Sequence, residues 1–321
     1  MTGSPTWGVV ATIKAPARDI LNFAAHHLDL GAHRVHVYLD APNPEAQQAL
    51  RDHPKCRVIL CDEDYWRRRR RKGSPEAHQP RQSLNASHCL QRRPQVDWLA
   101  HIDVDEFLWP EAPLPAQLAA LPEDVLSARV RPVEALAPDP DDPPPEGVAW
   151  FKSCARLPGQ RRVETEAIYP VHGAHLNGGF LSHVAGKVFV RTGVPGVHMR
   201  IHNAFIGREM DASPPELPAT RLCHLHATDW AHWRATYAYR LAQGSYREGL
   251  KPTAPDGSGL NMHALFRTLE AAGGEAALRR FWHEVCVATP DLRARLKAHG
   301  HLHAIALDLG AKRARHFPET R

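Results

Sequence analysis

Two hydrophobic periods alternate along the first 110 residues of the chain. TWGVVATI (6–13) is a short apolar run of strand type, and DILNFAAHHLDLG (19–31) then sets Ile20, Phe23, Ala24, His27, Leu28 and Leu30 at helical spacing before closing on Gly31. The switch repeats. HRVHVYLD (33–40) predicts a second strand, PEAQQALRDH (44–53) a short helix, CRVILCDED (56–64) a third strand, RQSLNASHCLQRR (81–93) a helix and DWLAHIDVDEFLWP (97–110) a fourth strand.

Strands alternating with helices give βαβ units and a doubly wound, mostly parallel central sheet, whose ligands bind beyond the carboxyl ends of the strands. Three of the predicted strands end there in acid, at Asp40, Asp62 and Asp103. Asp is also a common turn residue, so position alone leaves both uses open. The second half is less regular. PDPDDPPPEG (138–147) can form neither a packed helix nor a central strand and reads as an exposed loop. Strands are expected near 148–154, 187–191, 197–201 and 221–227, and helices over 229–245, 261–271, 275–287 and 290–298.

Composition changes this picture only in places. With 43% hydrophobic residues in 321, the chain can fill a large core. Six scattered cysteines without a C-x-x-C pair read as free, mostly buried thiols. The absence of a long apolar run, and an N-terminus without a basic and apolar leader, predict a cytoplasmic protein. The net charge of +5 is concentrated in Arg67–Lys72, RRRRRK, read as a loop. Such a run attracts phosphates of nucleic acid, lipid headgroups or a substrate, or is simply solvated. A nucleic-acid-binding protein would interleave aromatics with basic segments; only Tyr65 and Trp66 flank this one, so no nucleic-acid partner is expected. The 22 histidines follow no zinc spacing and are expected mostly at the surface.

The fourth predicted strand carries Asp103, Asp105 and Glu106 at its end. Carboxylates at i and i+2 leaving a strand can converge on one hard cation, Mg²⁺ or Mn²⁺, which would bridge a diphosphate. A plain turn followed by a solvated acid is the bland alternative. A D-x-D phosphatase is another, but its motif follows the first strand and carries Thr or Val where this chain has Phe107.

DWLAHIDVDEFLWP closely resembles the corresponding segment of bacterial family 2-like glycosyltransferases of the GT-A fold. IKAPARDILNFAAHHLDLGAHRVHVYLD (13–40) resembles the opening of that family, with His27, Leu30, Gly31, Tyr38 and Asp40 in place. Ala15 and Pro16 stand where the family has Asn and Glu, which leaves Lys14 as the polar contact of that turn. LCHLHATDWAHW (222–233) is similar to the later His-bearing strand and aromatic helix.

The resemblance implies a GT-A-like α/β domain over 1–227, with a nucleotide-binding half (1–110) and an acceptor half (111–227), and a helical region packed on it over 228–321. It implies metal-dependent transfer of a sugar from a nucleotide-sugar donor, most simply a UDP-sugar, to a hydroxyl acceptor in glycan or polysaccharide synthesis. Asp103, Asp105 and His226 are the expected ligands of Mn²⁺ or Mg²⁺; Lys14, Asp40, Asp62 and Asp103 are expected to hold the nucleotide. An inverting transfer also needs a general base, for which Glu134 and then Asp229 are the candidates. Arg67–Lys72 would meet an anionic acceptor or a membrane surface.

Overall fold

The computed structural model describes residues 3–251 and 259–318. The chain opens as β1 (Trp7–Ile13), α1 (Ala17–Asp29), β2 (Arg34–Leu39), α2 (Pro44–Asp52), β3 (Cys56–Leu60), α3 (Glu63–Arg69), α4 (His78–Gln91), β4 (Trp98–His101), β5 (Glu106–Pro110) and α5 (Leu114–Ala119). It continues as β6 (Ser127–Ala135), β7 (Ala149–Lys152), α6 (Pro158–Ile168), β8 (Lys187–Arg191), β9 (Val197–Met199), β10 (Ala204–Ile206), β11 (Glu209–Met210) and β12 (Glu216–His224). The last elements are α7 (Trp230–Ala242), α8 (Met262–Cys286), α9 (Pro290–Ala298), β13 (Leu302–Ile305) and α10 (Leu309–His316).

Contacts divide the chain into two compact units that do not follow the sequence boundaries at 110 and 227. The first comprises Met1–Arg131, Ala185–Leu222 and Asp308–Arg321. Its sheet runs β3-β2-β1-β4-β8-β6. The α/β fold is as the periods predict, and β3, β2, β1 and β4 are parallel. Parallel pairing stops at β4, because β8 lies antiparallel to both β4 and β6. Every residue of β1 is buried, as expected of a strand covered on both faces. On α1 every residue from Ile20 to Leu28 is buried, so the helix is enclosed on all sides over those turns. The C-terminal region is helical, as expected, with α7, α8 and α9 in the second unit and α10 in the first. Lys312 Nζ lies 3.3 Å from His26 Nδ1, Arg313 donates to Asn22 Oδ1 at 2.6 Å, and Arg315 donates to Asp29 Oδ1 at 2.7 Å.

The second unit comprises Pro132–Val184 and Cys223–Leu307. Here β7 pairs antiparallel with the end of β6 and with β13. Its core is aromatic: Phe266 meets the rings of Trp233, Tyr237, Tyr246 and Phe281 at centroid distances of 5.7, 5.4, 4.9 and 5.3 Å. Helix α8 breaks at Gly273 and Gly274, the latter at φ 56°, so the two expected helices meet at a kink. Gly179 is required by space as well as backbone, since at φ 76° an added Cβ would stand 2.2 Å from the Tyr169 ring.

Several expectations are corrected at element edges. The expected fourth strand is two, β4 and β5, separated by a turn. The third strand ends before Asp62, which instead starts α3. Arg67–Arg69 form the last turn of that helix and not a loop. Strand β12 ends at His224, so His226 lies beyond it. His26, His27, His101, His224 and His226 are buried, whereas the other histidines are at least partly exposed, as most were expected to be. Five of the six cysteines are buried and all are free thiols. No helix among the described residues is long and apolar enough to cross a membrane.

Candidate functional site

In the first unit β4 is an interior strand with β1 on one side and β8 on the other. The chain leaves the sheet at its carboxyl end, where Ile102 N–H still donates to Val10 O at 3.1 Å, and Asp103–Glu106 fold into a turn. Two bonds close it. Glu106 N–H donates to Asp103 O at 3.0 Å, and Asp103 N–H donates to Glu106 Oε2 at 2.9 Å.

Glu106 is fully buried, where an uncompensated carboxylate would cost several kcal/mol. Lys187, buried at the start of β8, supplies the compensation. Its Nζ donates to Asp103 Oδ2 at 2.7 Å and stands 3.4 Å from Glu106 Oε2. Burial alone would lower the Lys187 ammonium, but Asp103 and Glu106 outweigh burial and raise it. Gln82 on α4 donates to the other oxygen of Asp103. Behind the turn, burial and the Lys187 charge push His101 down to about 3 and His202 to about 4, so both rings are neutral at pH 7. Asp105 occupies the turn itself, half-buried.

The other predicted nucleotide contacts separate. Asp40, at the end of β2, accepts from Arg81 at 2.8 Å and from His78 at 3.4 Å, and so braces the first turns of α4. Burial raises its carboxyl, but His78 and Arg81 win and hold it below the usual range. Asp62 accepts from Tyr65 N–H at 2.7 Å and caps α3. Lys14 is exposed just past β1. Within the basic run, the Arg69 guanidinium lies 3.7 Å from the centroid of Tyr65 and bonds to His88, while Arg70 donates to Gly73 O at 3.2 Å. Arg68, Arg71 and Lys72 are exposed.

In the second unit Glu134 is fully buried, 3.3 Å from the Lys152 ammonium. It accepts from Leu181 N–H at 3.0 Å and from Ser182 N–H and O–H at 2.8 and 2.5 Å. Burial raises its carboxyl; Lys152, then Ser182 and Leu181, bring it below the usual range. Asp229 is exposed and caps α7, accepting from His232 N–H at 2.7 Å. His226 is buried with Nε2 3.0 Å from Tyr246 Oη and 3.1 Å from the Arg240 guanidinium. Burial and Arg240 hold the ring far below its ordinary value, so it is a neutral imidazole. The ring of His224 lies 5.1 Å from it.

Lys187 and Gln82 escaped the sequence reading. A lysine opening the apolar run KVFVR was the one visible sign of the first; nothing in the sequence around Gln82 marks it.

Over residues 10–120, from β1 through the D-x-D turn to α5, the chain matches the model of glycosyltransferase family 92. That match supports a glycosyltransferase, the coarser reading; the family differs from the family 2-like one that the motif resembles. No curated protein matches the chain. Solved structures with some likeness include HddC from Yersinia pseudotuberculosis, at 10% identity and TM-score 0.28, covering 43% of this chain and 65% of that one. Another is the galactosyltransferase LgtC in complex with donor and acceptor sugar analogs, at 12% identity and TM-score 0.27, covering 57% of each chain. The chain thus spans 57% to 65% of the length of these structures.

Proposed function

We propose that this protein moves a sugar from a nucleotide-sugar donor, with UDP-sugars the first to test, to a hydroxyl of a glycan or similar acceptor, using Mn²⁺ or Mg²⁺ at the D-x-D turn. The observation that carries the proposal is the turn: three carboxylates at the carboxyl end of an interior strand, within the segment that matches glycosyltransferase family 92. The donor set fits a hard dication. Asp105 supplies carboxylate oxygen directly. Asp103 would share its oxygens between the cation and its bonds from Gln82 and Lys187.

His226 is our third candidate ligand. Ligation at Nδ1 requires the ring proton on Nε2, bonded to Tyr246 and not to Arg240. His224 is the next candidate. When bound, the metal stabilises charge on the leaving diphosphate as a Lewis acid. Lys14, Arg68, Arg71 and Lys72 offer exposed cations for donor phosphates, an anionic acceptor or a membrane surface. Of the two candidate bases, the exposed Asp229 is reachable by an acceptor hydroxyl, whereas Glu134 is enclosed in its ion pair.

The test is a thermal-shift panel of UDP-, GDP-, CMP- and dTDP-sugars with and without Mn²⁺. A donor at one hundred times its Kd adds about 2.7 kcal/mol to apparent stability. One donor class should raise the melting temperature only with the metal present. No shift from any donor, together with a salt-dependent shift from an RNA oligonucleotide, would replace this function with nucleic-acid binding.

A further inference from the structure

We propose that the second unit carries a nucleophilic acyl-transfer centre at Ser153, with His301 as its base and Glu164 as the positioning carboxylate. It is independent of sugar transfer and uses none of the residues assigned above.

Three elements build it. Strands β7 and β13 run antiparallel with Lys152 opposite Leu302, so the next pair outward is Ser153 and His301, joined by a bond from Ser153 N–H to His301 O at 2.9 Å. His301 and His303 are two apart, the spacing that puts side chains on one face of an extended segment. Both reach the same hydroxyl. Ser153 Oγ lies 3.2 Å from His301 Nδ1 and 2.9 Å from His303 Nε2. On its far side His301 Nε2 stands 2.7 Å from Glu164 Oε2, carried by α6, and His299 Nδ1 stands 3.9 Å from the other oxygen of that carboxylate.

This order fixes the protons. An ionised carboxylate only accepts, so His301 Nε2 carries the hydrogen and Nδ1 presents its lone pair to the serine. The serine hydroxyl donates to His301 and accepts from His303 N–H. Burial alone would raise the Glu164 carboxyl, but the hydrogen bonds from His301 and Gln160 keep it below the usual range. Here a carboxylate, an imidazole and a hydroxyl stand in line with a second imidazole beside the oxygen, the arrangement that activates a serine. Ser153 and His301 are half-buried, and the ligand class the centre would take is an activated acyl ester.

In the reaction Ser153 Oγ forms a bond to the acyl carbon while its proton passes to His301 Nδ1. The bond from the acyl carbon to the ester oxygen then breaks, and His301 returns the proton to the departing alkoxide as alcohol. Water attacks the O-acyl serine by the same route, releasing the carboxylic acid and restoring the hydroxyl. His303 N–H steadies the charge on Oγ at each passage.

The full chain is treated with a fluorophosphonate probe, the label is mapped by mass spectrometry, and hydrolysis of p-nitrophenyl acetate is followed. One label should appear, on Ser153. S153A should abolish it and lower hydrolysis by about a hundredfold or more, with H301Q as severe. E164Q should slow hydrolysis about tenfold and move the acid limb of its pH–rate profile to lower pH, because the base has lost its neighbouring anion. C154A should keep both label and rate, and circular dichroism of S153A should match the parent. No label on Ser153 in the parent, or label and hydrolysis that persist in S153A, overturns the centre; an E164Q pH profile that does not move removes Glu164 from it.

Discussion

Lys187 makes the two aspartates of the D-x-D turn unequal under mutation. Asp103 is one of its two anions, whereas Asp105 lies on the half-buried turn. D105N should abolish the Mn²⁺-dependent thermal shift. D103N should also lose stability, because it leaves Lys187 with Glu106 alone. K187M removes the cation that both carboxylates share, one of them fully buried, and should cost about 3–5 kcal/mol in a urea titration. A D105N protein that keeps the metal-dependent shift would move the metal away from this turn.

At the scale of elements, the acids at helix starts have structural work that competes with the chemistry suggested for them. D62A and D229A should each cost about 1 kcal/mol through the lost caps of α3 and α7, read by chemical denaturation. Only D229A should also lower kcat, by about a hundredfold or more, if Asp229 is the general base. An equal and small effect of both on transfer would leave Asp229 a cap alone. The elements themselves were largely legible, because the 2.0 and 3.6 periods are imposed by burial on one face. The break between β4 and β5 was not. Val104 continues the apolar alternation through the turn, with no Gly or Pro to punctuate it. Helix α3 was hidden because its second half is arginine, largely exposed, and leaves no apolar period to read. The D-x-D was legible as a motif, but its partners Gln82 and Lys187 lie 21 and 84 residues from Asp103. Local patterns do not report a contact created when β8 lies antiparallel beside β4.

Across the whole molecule, neutral histidines set the response to acid. Burial pushes His36, His88 and His202 down to about 4 and His101 to about 3, each from 6.5. The unfolded chain therefore binds protons that the folded one refuses. Stability from these groups is complete above pH 6.5 and is lost as pH falls toward 4. The buried carboxylate Glu134, held below its usual value, adds its own loss only below about pH 4.5. Melting temperature should accordingly fall between pH 7 and pH 5, before carboxylates titrate. A flat profile over that interval would show that these rings take up protons without unfolding.

Helix α10 covers α1 in the first unit although Lys312 is 286 positions further along the chain than His26. At a synthesis rate of about 5–20 residues per second, the matching face of α1 waits on the order of tens of seconds for its cover. Folding order and chain order are therefore at odds. The second unit, interrupted by residues 185–222, is translated in the interval and can consolidate while the first unit still exposes apolar surface. The nascent chain is most vulnerable to aggregation and proteolysis after its early strands have paired and before α10 is made.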